Sequence, residues 1–131
     1  MVRFATISLA LGLAAAALAE GDTKPGLSEL EQASLLQHVS ACWNLGALSV
    51  EALATVVEVD FDVKQDGKPD IGSIRMTSYR GGSEAAANQA FQAARRAIIR
   101  CGVNGFELPV DKYEHWRHLR LTFDPDNMRW R

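Results

Sequence analysis

This chain has little of what catalysis or nucleic-acid recognition demands. Its 131 residues include two cysteines, three histidines and four prolines, and 14 basic residues stand against 16 acidic ones. A net charge of −2 supplies no basic face for a phosphate backbone, which argues against a nucleic-acid partner. No internal repeat and no low-complexity tract is present beyond the N-terminal segment. No serine, cysteine or threonine stands in a recognisable nucleophile–base arrangement, so no enzyme class is implied and no cofactor is expected. The one long apolar run, Phe4 to Leu18, falls short of the roughly 20 residues that span a bilayer.

That run belongs to an export signal. Arg3 gives a positive start, the uncharged stretch follows, and Ala17-Leu18-Ala19 is an A-x-A cleavage site. Residues 1–19 are therefore expected to be a signal peptide cut after Ala19, which leaves no membrane span and a periplasmic chain of 112 residues. Loss of Arg3 takes the net charge to −3. Two cysteines in an exported protein imply one disulfide, Cys42–Cys101, with free thiols the alternative in a reducing compartment.

Residues 20–26 form a polar tether, and 27–131 read as one domain. Ser28-Glu29-Leu30-Glu31 matches a capping box, and a helix is expected to about Cys42 with Leu30, Ala33, Leu36 and Val39 as its apolar stripe. Val57, Val59, Phe61 and Val63 alternate with Glu58, Asp60, Asp62 and Lys64, the clearest strand in the sequence. Asp66-Gly67 marks a hairpin turn. A weaker strand follows with Ile74 and Met76 on one side and Arg75 and Thr77 on the other. Gly81-Gly82 turns the chain, and Ser83 caps a long helix with Ala87, Ala90, Phe91, Ala94, Ile98 and Cys101 on its inner face and Gly102 as its stop. Pro109 precedes a short turn carrying Tyr113 and Trp116, and Leu119, Leu121 and Phe123 then alternate with Arg120, Thr122 and Asp124 in a last strand ended by Pro125.

Three strands with one apolar face need the helices on that face. A right-handed crossover fits best with the first strand in the middle, giving an α+β fold with an antiparallel sheet of order 2-1-3. In that order Glu58 and Asp60 lie between Arg75 and Arg120, and strands two and three are the edges.

The other candidate sites have plainer readings. His115 and His118 with Glu114 could begin a zinc site, but a third ligand is missing. Asp62, Asp66 and Gly67 echo a calcium loop that Lys64 and Ser73 spoil. Gly81-Gly82-Ser83 could hold an anion at a helix start, though a turn needing positive φ explains the glycines as well. Met128 to Arg131 reads as a frayed basic tail, with Trp130 free to pack on the outer face.

Cys42-Trp43 after the first helix, the Asp66-Gly67 hairpin, the run from Gly81-Gly82-Ser83 through Cys101-Gly102, Leu108-Pro109, Tyr113, Trp116 and Leu121-Thr122-Phe123-Asp124-Pro125 together resemble the C-terminal domain of TolA, in the group that includes the TonB C-terminal domain. The resemblance covers Leu27 to Met128. It implies helices on one face of a three-stranded antiparallel sheet, and a non-enzymatic periplasmic binding module of the Tol-Pal cell-envelope system. TolB-like segments, or colicin and phage proteins, are the partners it implies. A complete TolA looks like an uncleaved membrane anchor and a long helical stalk ahead of this domain; here the stalk is absent and the anchor looks cleavable, so a free version of the domain is expected. The partner-binding site is then expected on the edge strand Leu119, Arg120, Leu121, Thr122 and Phe123 by strand addition, with Ile74 to Thr77 as the competing edge. The alternative is an envelope-assembly or inhibitor protein acting through its helical face or by self-association.

Overall fold

The computed structural model describes residues 26–126 and the backbone of residues 129–130. The expected leader, most of the tether and Met128 lie outside the described residues. Helix α1 spans Glu29–Ala41, α2 Val50–Leu53, β1 Val56–Asp62, β2 Arg75–Arg80, α3 Glu84–Gly102, α4 Tyr113–Trp116, β3 His118–Phe123 and β4 Arg129–Trp130. Short 3-10 turns at Ile71–Ser73 and Val110–Lys112 precede β2 and α4. Antiparallel pairing gives the strand order β2-β1-β3-β4. The three-stranded β2-β1-β3 sheet with helices packed on one face is the expected α+β arrangement, extended by a fourth short strand.

Period-two alternation builds the core. Val57, Val59, Phe61 and Val63 from β1 and its extension meet Leu119, Leu121 and Phe123 from β3, all essentially buried. Helix α3 lies on this face through alanines, Ala87, Ala90, Ala94 and Ala97, with Ile98 the one large side chain it buries there. Small side chains let its backbone approach the sheet closely without leaving voids. Its start is set by Ser83, whose hydroxyl accepts from the Ala86 amide at 3.1 Å.

Helix α1 begins at the expected capping box: the Glu31 amide donates to Ser28 Oγ at 3.1 Å and the Ser28 amide to Glu31 Oε1 at 2.8 Å. That amide, followed by the Lys112 ammonium at 3.1 Å, holds the Glu31 carboxyl below its ordinary range. The expected stripe holds at Val39 and, half-buried, at Leu36, and is corrected at its start. Leu35 and Val39 are the buried residues of α1, whereas Leu30 is 83% exposed and Ala33 faces solvent. Cys42 fixes the rotation of the helix, because its bond to Cys101 pulls the Leu35–Val39 side, three and seven residues back, onto α3.

Gly102 does not stop α3 in a left-handed conformation; it is the last helical residue, and Gly105 (φ 88°) makes the turn. What Gly102 supplies is space, since a Cβ there would stand 2.5 Å from Pro69 Cδ. The hairpin after β1 leans on the helix end at this point. It is closed by the Lys64 amide donating to Lys68 O at 2.9 Å and pinned by the Phe106 amide donating to Gly67 O at 2.8 Å.

Candidate functional site

The sheet has an inner face buried under helices and an outer face open to solvent. Asp60, on the outer face of the central strand, is only 2% exposed because cations close over it. Arg120 donates to both carboxylate oxygens, Nε to Oδ1 at 2.6 Å and Nη2 to Oδ2 at 3.0 Å. His118 Nε2 lies 3.2 Å and Arg75 Nη2 3.8 Å from Oδ2, and His118 Nδ1 lies 2.7 Å from Asp62 Oδ1. The Arg120 hydrogen bonds, aided by His118, hold the Asp60 carboxyl below its ordinary range despite burial, and the same contact pushes the Arg120 guanidinium up. Glu58 and Asp60 between Arg75 and Arg120 match the charge pattern read from the sequence.

This cluster is closed on itself. Both Asp60 oxygens accept hydrogen bonds from Arg120, and a carboxylate held below its ordinary pKa by such partners is a weak base. His118 faces two carboxylates, and among the described residues no group of three His, Cys, Asp or Glu side chains could hold a metal ion. A polar cleft of about 420 Å³ adjoins it, lined by Asp62, Val63, Tyr113, Arg117 and His118. Tyr113 donates to Val63 O at 3.0 Å and Arg117 pairs with Glu114 at 3.5 Å. The Gly81-Gly82-Ser83 turn is likewise occupied from within: Gly81 has φ 97°, and the Ser83 amide donates to Glu51 Oε2 at 2.8 Å.

Removing the Asp60 charge should be felt most near neutral pH. A carboxyl whose folded pKa lies below its unfolded value, near 3.9, stabilises the fold above that value, and the contribution fades as pH falls through the folded pKa. Asp60→Asn is expected to cost about 1.5 kcal/mol at pH 7, the low end for hydrogen bonds to charged groups because the partners are half-exposed. The gap to the native chain should narrow steadily below pH 4 in urea titrations. An undiminished gap at pH 2.5 would contradict the assignment.

The backbone at the two sides of the sheet decides where another strand can add. The Val63 amide donates to Arg117 O at 2.8 Å, so Val63–Arg117 is a hydrogen-bonded pair of the β1–β3 ladder. Alternation then makes Phe61–Leu119, Val59–Leu121 and Val57–Phe123 bonded pairs and turns the main-chain groups of His118, Arg120 and Thr122 away from β1. By the same alternation Glu58–Ser78 and Val56–Arg80 bond β1 to β2. Tyr79, between Ser78 and Arg80, is left with its N–H and C=O pointing out of the sheet. A β-bulge at Glu58/Val59, opposite Thr77, twists the strand just before this point.

The expected open edge at Leu119, Arg120, Leu121, Thr122 and Phe123 is covered in part, at Leu121 and Thr122. After the Pro125 turn, where the Asp126 amide donates to Asp124 Oδ1 at 2.9 Å, the chain returns as β4 and pairs Trp130 with Leu121 and Arg129 with Thr122. Leu119, Leu121 and Phe123 are core residues, and Thr122 is buried on the outer face with its Oγ1 lacking a partner. Of the five, Arg120 alone is exposed, and Asp60 holds it. Among the described residues the sheet ends in β2 on one side and in the two-residue β4 on the other, and five of the six β2 side chains are exposed. The signal for β4 is a turn sequence, Asp124-Pro125-Asp126-Asn127, ahead of an alternating basic and apolar tail. Two paired residues are too few for periodicity to register.

Trp43 packs edge-on against Phe123 with ring centroids 5.2 Å apart, and Trp116 is buried. Among the described residues no helix is long and apolar enough to cross a membrane. The chain matches no protein-family model, no curated protein and no solved structure.

Proposed function

We propose that this chain is a periplasmic, non-enzymatic binding module of the Tol-Pal cell-envelope kind, exported by a leader cut after Ala19. It takes an extended segment of a TolB-like protein, or of a colicin or phage protein, as an added strand. The resemblance to the TolA C-terminal domain supports the class of partner. The single observation that supports the mode of binding is the β2 edge, where Tyr79 presents an unshared N–H and C=O beside exposed Ser78 and Arg80. Main-chain hydrogen bonds would supply the affinity there, and Arg75 and Arg80 at the two ends favour a partner strand with acidic flanks. Binding along the whole of β3 instead would require β4 to leave.

Tyr79→Pro tests this cleanly. Proline deletes an amide that the β1–β2 ladder does not use, and it is tolerated on an edge strand whose N–H faces outward. The variant should keep its circular dichroism spectrum and recover no more than one-tenth as much TolB-like protein as the native chain when each is immobilised and exposed to periplasmic extract. Equal recovery by both chains, or no such protein with either, would refute the reading.

A further inference from the structure

A second surface lies at the far end of α3, away from the exposed groups of Tyr79. Because Gly102 admits Pro69, the hairpin and the following 3-10 turn rest against the last turns of α3. A shallow depression of about 370 Å³ on α3 itself adjoins a smaller one of about 160 Å³ at this junction, and both have Ile99 and Val103 in their walls. Ile71 closes the hairpin side, and it and Val103 are 49% and 63% exposed. The junction is fixed on both sides, by the bonds between Phe106 and Gly67 and by the positive-φ glycines Gly67 and Gly105 crossing in contact.

The rim is entirely cationic. Lys64 and Lys68 flank the clefts from the hairpin, and Arg96 and Arg100 from the helix; no Asp or Glu lines either one. Arg75, Lys112, Arg117 and Arg120 all have carboxylate partners. Among the described residues Lys64, Lys68, Arg96 and Arg100 have none. In a chain of net charge −2, four unpaired cations around one apolar depression are a concentrated field. Arg100, in the last turn, complements the helix dipole. That role does not extend to the two lysines or to Arg96.

We infer that this junction is a docking surface for an acidic protein segment, which seats one or two large apolar side chains against Ile99 and Val103 while its carboxylates meet Lys64, Lys68, Arg96 and Arg100. The chemistry of the lining favours a peptide over an anionic membrane. The apolar atoms lie between the cations, no aromatic side chain lines the clefts, and a bilayer would call for apolar groups standing clear of the surface.

Selection of a displayed library of random 12-residue peptides on the immobilised full chain tests this. Recovered peptides should be rich in Asp and Glu around one or two Leu, Ile or Phe residues. Their affinity should fall at least tenfold in Arg96→Gln/Arg100→Gln, in Lys64→Gln/Lys68→Gln, and on raising salt from 50 to 500 mM. The hairpin and helix pairs are independent, so a folding defect in one leaves the other as the test, with circular dichroism as the check. Tyr79→Pro should bind the same peptides unchanged, which separates this surface from the β2 edge. Absence of an acidic bias, peptides indifferent to both double variants, or sedimentation with 1:1 phosphatidylglycerol–phosphatidylcholine vesicles without acidic-peptide binding would each overturn the inference.

Discussion

Serine at both Cys42 and Cys101 is expected to destabilise the fold by about 4 kcal/mol, the chain-entropy value for a loop of this length. For a domain of this size that corresponds to a fall in melting temperature of roughly 15 °C or more. The two residues are bonded with their Cα atoms 5.8 Å apart and 59 positions apart in sequence, and the Cα spacing is ordinary for a disulfide. The effect should be uneven. Helix α3 buries a full face of alanines and Ile98, whereas α1 buries Leu35 and Val39 alone. Without the bridge α1 has little else to hold it, so its amides should gain hydrogen exchange before those of β1 and α3. Thermal denaturation of the double variant, repeated on the native chain with a thiol reductant, checks both statements. A shift of only a few degrees would contradict them.

Trp116→Ala should cost about 3–5 kcal/mol, the range for emptying a large aromatic site in a packed core. Trp116 is 1% exposed, and its Nε1 donates to Pro109 O at 2.7 Å while Tyr113 packs edge-on at 4.7 Å. The indole therefore ties α4 to the segment before it and delivers the chain into β3 beside β1. Trp116→Phe keeps most of the apolar volume and loses the hydrogen bond, so it should cost about 1–2 kcal/mol. Urea denaturation of the three chains gives the ranking, and an alanine variant within 1 kcal/mol of the native chain would contradict it.

Elements with a strong local pattern were legible before any coordinates. The alternation of Val57, Val59, Phe61 and Val63, the Asp66-Gly67 turn, Ser28 and Ser83 as caps, and the 2-1-3 strand order all follow from periodicity, capping and charge pairing. Three features depend on tertiary packing and could not be read this way. The rotation of α1 is set by tertiary packing through Leu35, Val39 and the Cys42–Cys101 bond, so Leu30 and Ala33 at the start of the expected stripe face solvent. Gly102 resembles a helix stop, but its absent side chain serves Pro69. Strand β4 is two residues long, and it covers Leu121 and Thr122 of the edge on which Leu119 to Phe123 were expected to bind. Asp60 was placed correctly on the outer face, yet its burial comes from long cationic side chains on both neighbouring strands, which alternation along one strand does not reveal.

Whether a partner adds to β2 is tested most directly by residue-resolved amide hydrogen exchange, with and without the TolB-like protein recovered from periplasm. In the free chain the amides of Ser78 and Arg80, bonded into β1, should exchange slowly and that of Tyr79 rapidly. On binding, Tyr79 should become protected by at least tenfold while the β3–β4 pairs Leu121–Trp130 and Thr122–Arg129 stay as they were. Protection appearing instead along His118 to Thr122, with Arg129 and Trp130 released, or no change at either edge, would contradict strand addition at β2.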